Sequence, residues 1–229
     1  MSSIVLALIS AISLVSLGDL SQHVSQAIVI LLVWGGLVWI LPRPRLGIGW
    51  LVAVALGLRM TLVFSPISLS DDVYRYLWEG YVAWAGENPY AHAPSDPHWS
   101  NMGSQSLRGM VAHAHVSAVY PPLAIWFFGL LSQFSTDAWI AKLCMGLADV
   151  GVVWMLAKVL LGRHRHIGPA WLYALHPLGA VETAGSAHME PLALLCLLAA
   201  IFAWDRKQGG SAWAALGMWF KFLPGILLL

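Results

Sequence analysis

The sequence predicts an all-α membrane protein with several spans, and three observations predict it. Hydrophobic residues make up 59% of the 229 residues, and charged residues only 10%. The mean hydropathy is +0.73, whereas soluble domains are about 45–50% apolar and about 25% charged. The apolar residues are gathered in runs that approach the roughly 20 residues of a membrane-crossing helix. We therefore expect a polytopic helix bundle that forms a single domain over residues 1–229.

Seven apolar runs are predicted to cross the bilayer. The first two are short and close together, which favours a helical hairpin. The first run lacks a basic segment before it and a clear cleavage site after it, so it is interpreted as an anchor helix and not as a signal peptide. Because the sequence ends inside an apolar run, we expect a partial polypeptide. The predicted spans are Ile4–Leu17, Ala27–Leu41, Gly47–Phe64, Trp139–Leu161, Ile167–Ala184, Pro191–Trp204 and Ser211–Leu229.

Basic residues in short loops predict the orientation of the bundle, because Lys and Arg accumulate on the cytoplasmic side. Basic pairs follow the second, fourth and sixth spans. Residues 65–137 then form a long external loop with interfacial helices. We expect a multi-pass protein of the plasma (inner) membrane whose site faces the periplasm. The basic pairs are Arg43 and Arg45, Arg163 and Arg165, and Arg206 and Lys207.

The apolar segment Val119–Phe134 is excluded as a further crossing by the same orientation. If it crossed, Arg163 and Arg165 would lie outside the cell. We interpret the segment as an interfacial or re-entrant helix that begins at Pro121 and Pro122. Proline is tolerated there because the first N–H groups of a helix have no partner within the helix.

Two adjacent carboxylates begin the external loop. Ser70 is a good N-cap, and Asp71 and Asp72 would be the first two helical positions, where the helix dipole stabilises negative charge. The helix is predicted to run to about Ala85, with Arg75 one turn from both acids. Such acids could supply a general base for an acceptor hydroxyl or bind a divalent cation. The alternative is a pair of helix-start charges that only neutralise Arg75.

Four sequence blocks carry a resemblance to a known family: SDDVYRYLWEGYVAWAGENPYAHAP, VYPPLA, HPLGAVETAGSAHMEPLALL and KFLP, in this order from Ser70 onward. The chain resembles bacterial GT-C glycosyltransferases, specifically polyprenyl-phosphate-mannose-dependent mannosyltransferases related to the catalytic subunit of GPI mannosyltransferase I. The resemblance implies a multi-span enzyme with a GT-C-type helix bundle that takes a sugar from a lipid-phosphate donor on the external face. It also implies an aspartate base in the first external loop, which is Asp71, with Asp72 as second choice.

The chain departs from the family pattern at two places. The family commonly has Asn-Pro where this chain has His176 and Pro177. It also carries a Gly-His-Asn-Asp/Glu block where this chain reads Ala-His-Met-Glu over residues 187–190. His188 and Glu190 keep their places in that block.

Further polar residues are candidates for binding the donor. Tyr120 could offer its hydroxyl to the donor phosphate, or it could belong to an ordinary helix start. His188 and Glu190 lie with Glu182 at the external end of a span, where they could bind the phosphate or a sugar hydroxyl, or simply face water. Lys221 interrupts an apolar helix at a cost of about 2.5–3.5 kcal/mol. It could offset the charge of the phosphodiester, or it could extend its ammonium to the interface.

Three charged residues inside the predicted spans leave alternatives open. Lys142 and Asp149 lie two turns apart and could share one helix face, either to join helices or to assist the phosphate. Arg59 in the third span has no assigned role. The loop residues His113 and His115 do not by themselves make a metal site.

The predicted reaction is inverting transfer of mannose from a polyprenyl-phosphate donor to a hydroxyl of a lipid or glycan acceptor. Asp71 would deprotonate the acceptor, while Arg75, Lys221 and His188 would offset the charge of the leaving phosphate. No metal and no other cofactor are expected, because a lipid phosphate leaves without the metal that a nucleotide diphosphate needs. The net charge of +1 argues against a nucleic-acid partner.

Two other functions are considered. A flippase or transporter of lipid-linked sugars would account for charges inside spans, and paired broken helices with an internal repeat would favour it. The chain could also be a truncated, inactive homologue.

Overall fold

The computed structural model describes residues 1–228, apart from the side chains of residues 223, 227 and 228. It is all-helical, with 68% of the chain in helices and no strand among the described residues. The helices are α1 (Ser2–Ser16), α2 (Val24–Ile40), α3 (Ile48–Val63), α4 (Asp72–Trp84), α5 (Gln105–Gly109), α6 (Pro122–Ser132), α7 (Ala138–Gly162), α8 (Gly168–Leu175), α9 (Pro177–Ala180), α10 (Glu190–Asp205) and α11 (Ser211–Met218). A π-helical turn covers Val181–Gly185, and 3₁₀ turns cover Leu20–Gln22, Pro97–Asn101 and Leu223–Leu228.

By length and composition, one described helix could cross a membrane. Among the described helices, α7 alone is both long and apolar enough to span a bilayer, with 25 residues, or about 38 Å at 1.5 Å per residue. The apolar helices α1, α2, α3 and α6 have 10–17 residues each. The all-α fold is confirmed, whereas the seven crossings stay a prediction.

The predicted span Ile167–Ala184 is not one continuous helix in the structure. The helix breaks at His176, because Pro177 has no N–H to donate. Side chains from other helices satisfy the carbonyls that the break exposes. Arg59 donates to the Ala174 carbonyl, and the indole N–H of Trp34 donates to the Leu175 carbonyl at 2.8 Å.

The described part of the predicted span Ser211–Leu229 is not one continuous helix either, and Leu229 lies outside the described residues. Helix α11 ends at Met218, and a 3₁₀ turn follows over Leu223–Leu228. The chain folds back here, so that a Cβ added at Gly217 would lie 2.8 Å from Cγ of Pro224. A straight helix cannot bring residues seven positions apart into such contact, because they are about 10 Å apart along its axis.

Two apolar cores divide the molecule. The first joins α1, α2, α3, α8 and α9 around buried side chains such as Trp34 and Trp171. The second joins α4, α5 and α6 around Trp78 and Trp99. Helix α7 belongs to both, because its C-terminal half packs in the first core and its N-terminal half in the second. The segment 65–137, predicted as a loop with interfacial helices, therefore folds as a packed layer on the end of α7.

The backbones of α4 and α6 are in close contact within this layer. A Cβ on Gly80 would lie 2.3 Å from the backbone nitrogen of Gly129, a distance that no side-chain carbon tolerates. The predicted start of α4 is wrong by one residue, since Asp71 is the N-cap and Asp72 is the first helical residue. The Ser70 hydroxyl accepts a long hydrogen bond of 3.4 Å from the Asp72 backbone N–H.

The buried charges pair in a way that the sequence left undecided. Arg59 and Asp149 are fully buried and form an ion pair of 2.7 Å. Asp149 also accepts a hydrogen bond of 2.5 Å from the hydroxyl of Tyr173. The ammonium of Lys142 instead donates to the carbonyl and hydroxyl oxygens of Ser65. Asp149 therefore joins α3, α7 and α8, and Lys142 fixes the point where the 65–137 layer begins.

Candidate active site

The two aspartates at the start of α4 face different neighbours. Asp71 is exposed and Asp72 is half-buried. Burial and the charge of Asp71 raise the pKa of Tyr74. The charge of Asp72 instead acts on Tyr120, whose pKa is raised to about 12 mainly by burial and then by that charge. Asp72 therefore faces the interior of the layer, whereas Asp71 lies at its margin.

Tyr120 is held beside α4 by two other tyrosines. Its ring meets the edge of the Tyr76 ring, with centroids 4.8 Å apart. Its carbonyl accepts a hydrogen bond of 2.6 Å from the hydroxyl of Tyr90. The Tyr-Pro-Pro start of α6 is thereby fixed next to the start of α4, as the sequence order alone could not show.

His188 lies just after the π-helical turn, and Glu182 of that turn holds it. The imidazole Nδ1 lies 3.0 Å from Oε2 of Glu182, and the His188 backbone N–H donates to the Glu182 carbonyl at 2.9 Å. The hydrogen bond to Glu182 raises the pKa of His188, and the charges of Glu190 and Asp72 add to this effect. Ala187 has a φ of 60°, a conformation that favours glycine. This agrees with the glycine that begins the corresponding block in the family that the sequence resembles.

Glu190 begins α10 and forms an ion pair with Lys221. Burial alone would raise the pKa of Glu190, but the hydrogen bond and charge of Lys221 outweigh it, so the pKa is lowered. Glu190 also acts on Tyr76, whose pKa is raised mainly by burial and further by the charges of Tyr120, Asp72 and Glu190. We call this group the Asp72 cluster; it consists of Asp72, Tyr76, Tyr120, Glu182, His188, Glu190 and Lys221.

Comparison with known protein families assigns the chain to a class. Residues 5–229 match the family model described as alpha-(1->6)-mannopyranosyltransferase, N-terminal domain. The chain belongs to this family. Glycosyl transfer with mannose, predicted from the sequence blocks, is thereby confirmed at the level of the family. Neither the curated proteins nor the solved structures compared with the chain include a match.

Arg75 of this mannosyltransferase family member is not placed as the sequence suggested. Its side chain is buried, and its Nε donates to Glu79 at 2.8 Å. Its remaining N–H groups donate to the carbonyls of Ala112, His113, Val116 and Ser117. A guanidinium has five N–H groups, so Arg75 is fully used in fixing the segment 112–117. Arg75 does not pair with Asp71 or Asp72, the alternative considered from the sequence, and its geometry leaves no N–H group for the phosphate that it was expected to contact.

Glu79 is a buried acid that the sequence interpretation passed over. Its side chain is 2% exposed, and Oε2 has no hydrogen-bond partner among the described residues. Burial raises its pKa to about 7, although Arg75 acts in the opposite direction. The spacing i,i+4 from Arg75 was the available signal, since such residues meet on one helix face.

Proposed function

We propose that this mannosyltransferase family member moves mannose from a polyprenyl-phosphate donor to an acceptor hydroxyl on the external face of the plasma membrane. The observation that carries the proposal is the Asp72 cluster, where the charge of Asp72 from α4 acts on His188, and Glu190 pairs with Lys221, in the distant half of the chain. Carboxylate, imidazole and ammonium are the groups that a reaction with a hydroxyl nucleophile and a phosphate leaving group requires.

Asp72 is assigned the role of general base. It removes the proton of the acceptor hydroxyl as that oxygen attacks the anomeric carbon, and the bond from this carbon to the phosphate oxygen breaks with its electron pair. A single displacement inverts the anomeric centre. Asp72 is preferred over Asp71 because Asp72 is half-buried whereas Asp71 is exposed, and because the charge of Asp72 acts on His188 and Tyr120.

Positive and donor groups of the cluster bind the donor. Lys221 is about half exposed, and its ammonium has three N–H donors, so it can contact a phosphate while it remains paired with Glu190. Tyr120 keeps its proton at neutral pH, because its pKa is raised to about 12 by burial. Its hydroxyl is therefore a hydrogen-bond donor for a phosphate oxygen. His188 and Glu190 complete the binding site for the lipid-linked sugar donor.

Outward-facing apolar side chains support the membrane location. Helices α1 and α2 carry large apolar residues whose side chains are exposed, among them Ile9, Ile12, Ile28, Leu32, Trp39 and Ile40. Apolar surface of this extent is unusual on a soluble monomer and suits contact with lipid. Together with α7, these helices would form the membrane-embedded part beneath the 65–137 layer.

The test is a transfer assay in membranes supplied with radiolabelled polyprenyl-phosphate-mannose. Asp72→Asn should lower kcat by about 10²–10⁴-fold, the usual contribution of a positioned base, without lowering the amount of folded protein. Asp71→Asn is the matched control at the neighbouring position, and we expect it to retain most of the activity.

Two results would change the assignment. Full activity in Asp72→Asn together with loss in Asp71→Asn would make Asp71 the base, as the family resemblance implied. Movement of the lipid-linked sugar across the bilayer without any transfer would favour a flippase, for which the broken helix at His176 is a supporting feature.

A further inference from the structure

Two polar atoms of the Asp72 cluster have no hydrogen-bond partner among residues 1–228, namely Nε2 of His188 and Oε2 of Glu190. Both atoms are buried, although each side chain is partly exposed. Buried polar atoms in folded proteins are nearly always paired, and an unpaired one costs about 1–3 kcal/mol. Two such atoms on neighbouring groups mark a place where a ligand can supply the missing bonds.

The chemistry of the two atoms selects the ligand. Nε2 of a protonated His188 is a donor, and Oε2 of Glu190 is an acceptor. A hydroxyl group can accept from the first and donate to the second. A phosphate oxyanion can only accept, so it cannot form the missing bond with Oε2 of Glu190. The carboxylates of Glu182 and Asp72 also act on His188, which makes these surroundings unfavourable for an anion.

We propose that His188 Nε2 and Glu190 Oε2 bind a hydroxyl group of the transferred mannose, and that Glu182 is the positioning residue for His188. This deepens the proposed function, on which it rests, and separates a sugar subsite at His188 and Glu190 from the phosphate at Lys221.

Glu182 decides what Nε2 can do. It lies 3.0 Å from Nδ1, so a neutral imidazole would keep its one proton on Nδ1 and leave Nε2 as an acceptor. Only the imidazolium presents N–H groups on both sides. The groups that face His188 are Glu182 from the π-helical turn, Glu190 from α10 and Asp72 from α4. All three are acids and favour the protonated ring.

The first experiment pairs side-chain variants with donor analogues. The kcat/KM for polyprenyl-phosphate-mannose and for its analogues that each lack one sugar hydroxyl is measured with the unchanged protein and with Glu190→Gln. In the unchanged protein, one analogue should lose roughly 10- to 100-fold in kcat/KM, because a charged hydrogen bond is lost. In Glu190→Gln the same analogue should lose less, because the amide oxygen that replaces the carboxylate forms only a weaker, uncharged hydrogen bond with that hydroxyl. Asp205→Asn is the matched control, since Asp205 ends the same helix in an ion pair with Arg163.

The second experiment tests Glu182 through the pH profile of kcat/KM. Activity that needs the imidazolium falls as pH rises through the pKa of His188. Glu182→Gln removes the largest influence that raises this pKa, so the alkaline limb of the kcat/KM profile should move to lower pH. Glu182→Asp keeps a carboxylate, so its alkaline limb should lie close to that of the unchanged protein. A purely structural role would lower activity equally at every pH.

Results that would overturn the sugar subsite differ from results that would overturn the proposed mannosyl transfer. A phosphate site would be shown instead by two results together. Every analogue would lose the same factor in kcat/KM in both proteins, and Glu190→Gln would bind polyprenyl phosphate without the sugar more weakly than the unchanged protein does. If the unchanged protein does not use the lipid donor, the proposed function fails. The subsite is then decided by thermal unfolding with methyl α-mannoside, which should raise the Tm of the unchanged protein more than that of Glu190→Gln. An equal Tm response in both would overturn it.

Discussion

Glu79 shows at the scale of single residues how burial can dominate a charge pair. Its Oε1 accepts from the Nε of Arg75 at 2.8 Å, yet burial still raises its pKa to about 7. The desolvation of the Glu79 carboxylate therefore costs more free energy than its attraction to the Arg75 guanidinium supplies. Arg75 also donates its other N–H groups to four backbone carbonyls. The pair fixes a loop and is ionised only at a cost in stability.

The free energy of unfolding should depend on the pH through Glu79. The native state binds a proton more tightly than the unfolded chain, whose carboxyl has a pKa of 4.5. Stability should consequently fall as the pH rises from about 4.5 to 7, by at most about 1.4 kcal/mol per pH unit. Chemical denaturation at several pH values should show this slope in the unchanged protein and a flatter one in Glu79→Gln. The exposed Glu87→Gln is the control, and an unchanged slope in Glu79→Gln would contradict the assignment.

At the scale of elements, the crossing of α4 and α6 positions the candidate site. Gly80 and Gly129 let the two backbones touch, which brings Tyr120 at the start of α6 beside Tyr76 of α4. Neither glycine has a positive φ, so the reason for glycine is space and not backbone conformation. The apolar faces of both helices then close over Phe128 and Leu77 in the second core.

Replacing Gly80 by Ala should separate the two helices. The added Cβ would lie 2.3 Å from the nitrogen of Gly129 and 2.5 Å from the carbonyl carbon of Phe128, and backbone atoms cannot move aside cheaply. We expect a loss of about 1–3 kcal/mol or more in the free energy of unfolding. Gly57→Ala in α3 is the matched control, because a Cβ there meets nothing within 4 Å and should stabilise the helix by about 0.5–1 kcal/mol. Equal Tm values for the two variants would argue against the close crossing.

At the scale of the whole molecule, α7 joins the two cores, and its buried Asp149 ties α3 and α8 to it. The ion pair with Arg59 is fully buried, and the same guanidinium satisfies the Ala174 carbonyl at the helix break. Removal of one partner would leave an uncompensated charge in a low-dielectric interior. The buried charges of Arg59 and Asp149 therefore have a structural explanation that needs no substrate.

The Arg59–Asp149 pair should behave as one unit in a double-mutant cycle. Asp149→Leu alone should cost about 3–5 kcal/mol of stability, because Arg59 is left buried without its partner. The double variant Arg59→Met with Asp149→Leu should recover most of that loss, since an apolar pair of similar volume avoids the desolvation cost. Thermal unfolding in detergent measures both. Additive losses in the double variant would show that the two side chains do not depend on each other.

Composition and local pattern determined much of this protein before any coordinates. The apolar runs predicted the all-α class and the approximate bounds of α1, α2, α3, α7 and α10, because an apolar run of helix length carries its own signal. Pro121 and Pro122 predicted the start of α6, and the ordered blocks from Ser70 onward predicted a mannosyltransferase, which the family match confirms.

Only the tertiary structure decided which polar groups meet. It showed that Asp72 is half-buried while Asp71 is exposed, and that Arg75 donates to backbone carbonyls of the segment 112–117. It also showed that Asp149 forms an ion pair with Arg59. It also brought Glu182 to His188 across a π-helical turn that no residue pattern had indicated. The physical reason is that an ion pair depends on the direction of side chains in three dimensions. Sequence spacing fixes that direction within one regular helix, but not across a helix break or between residues on different elements.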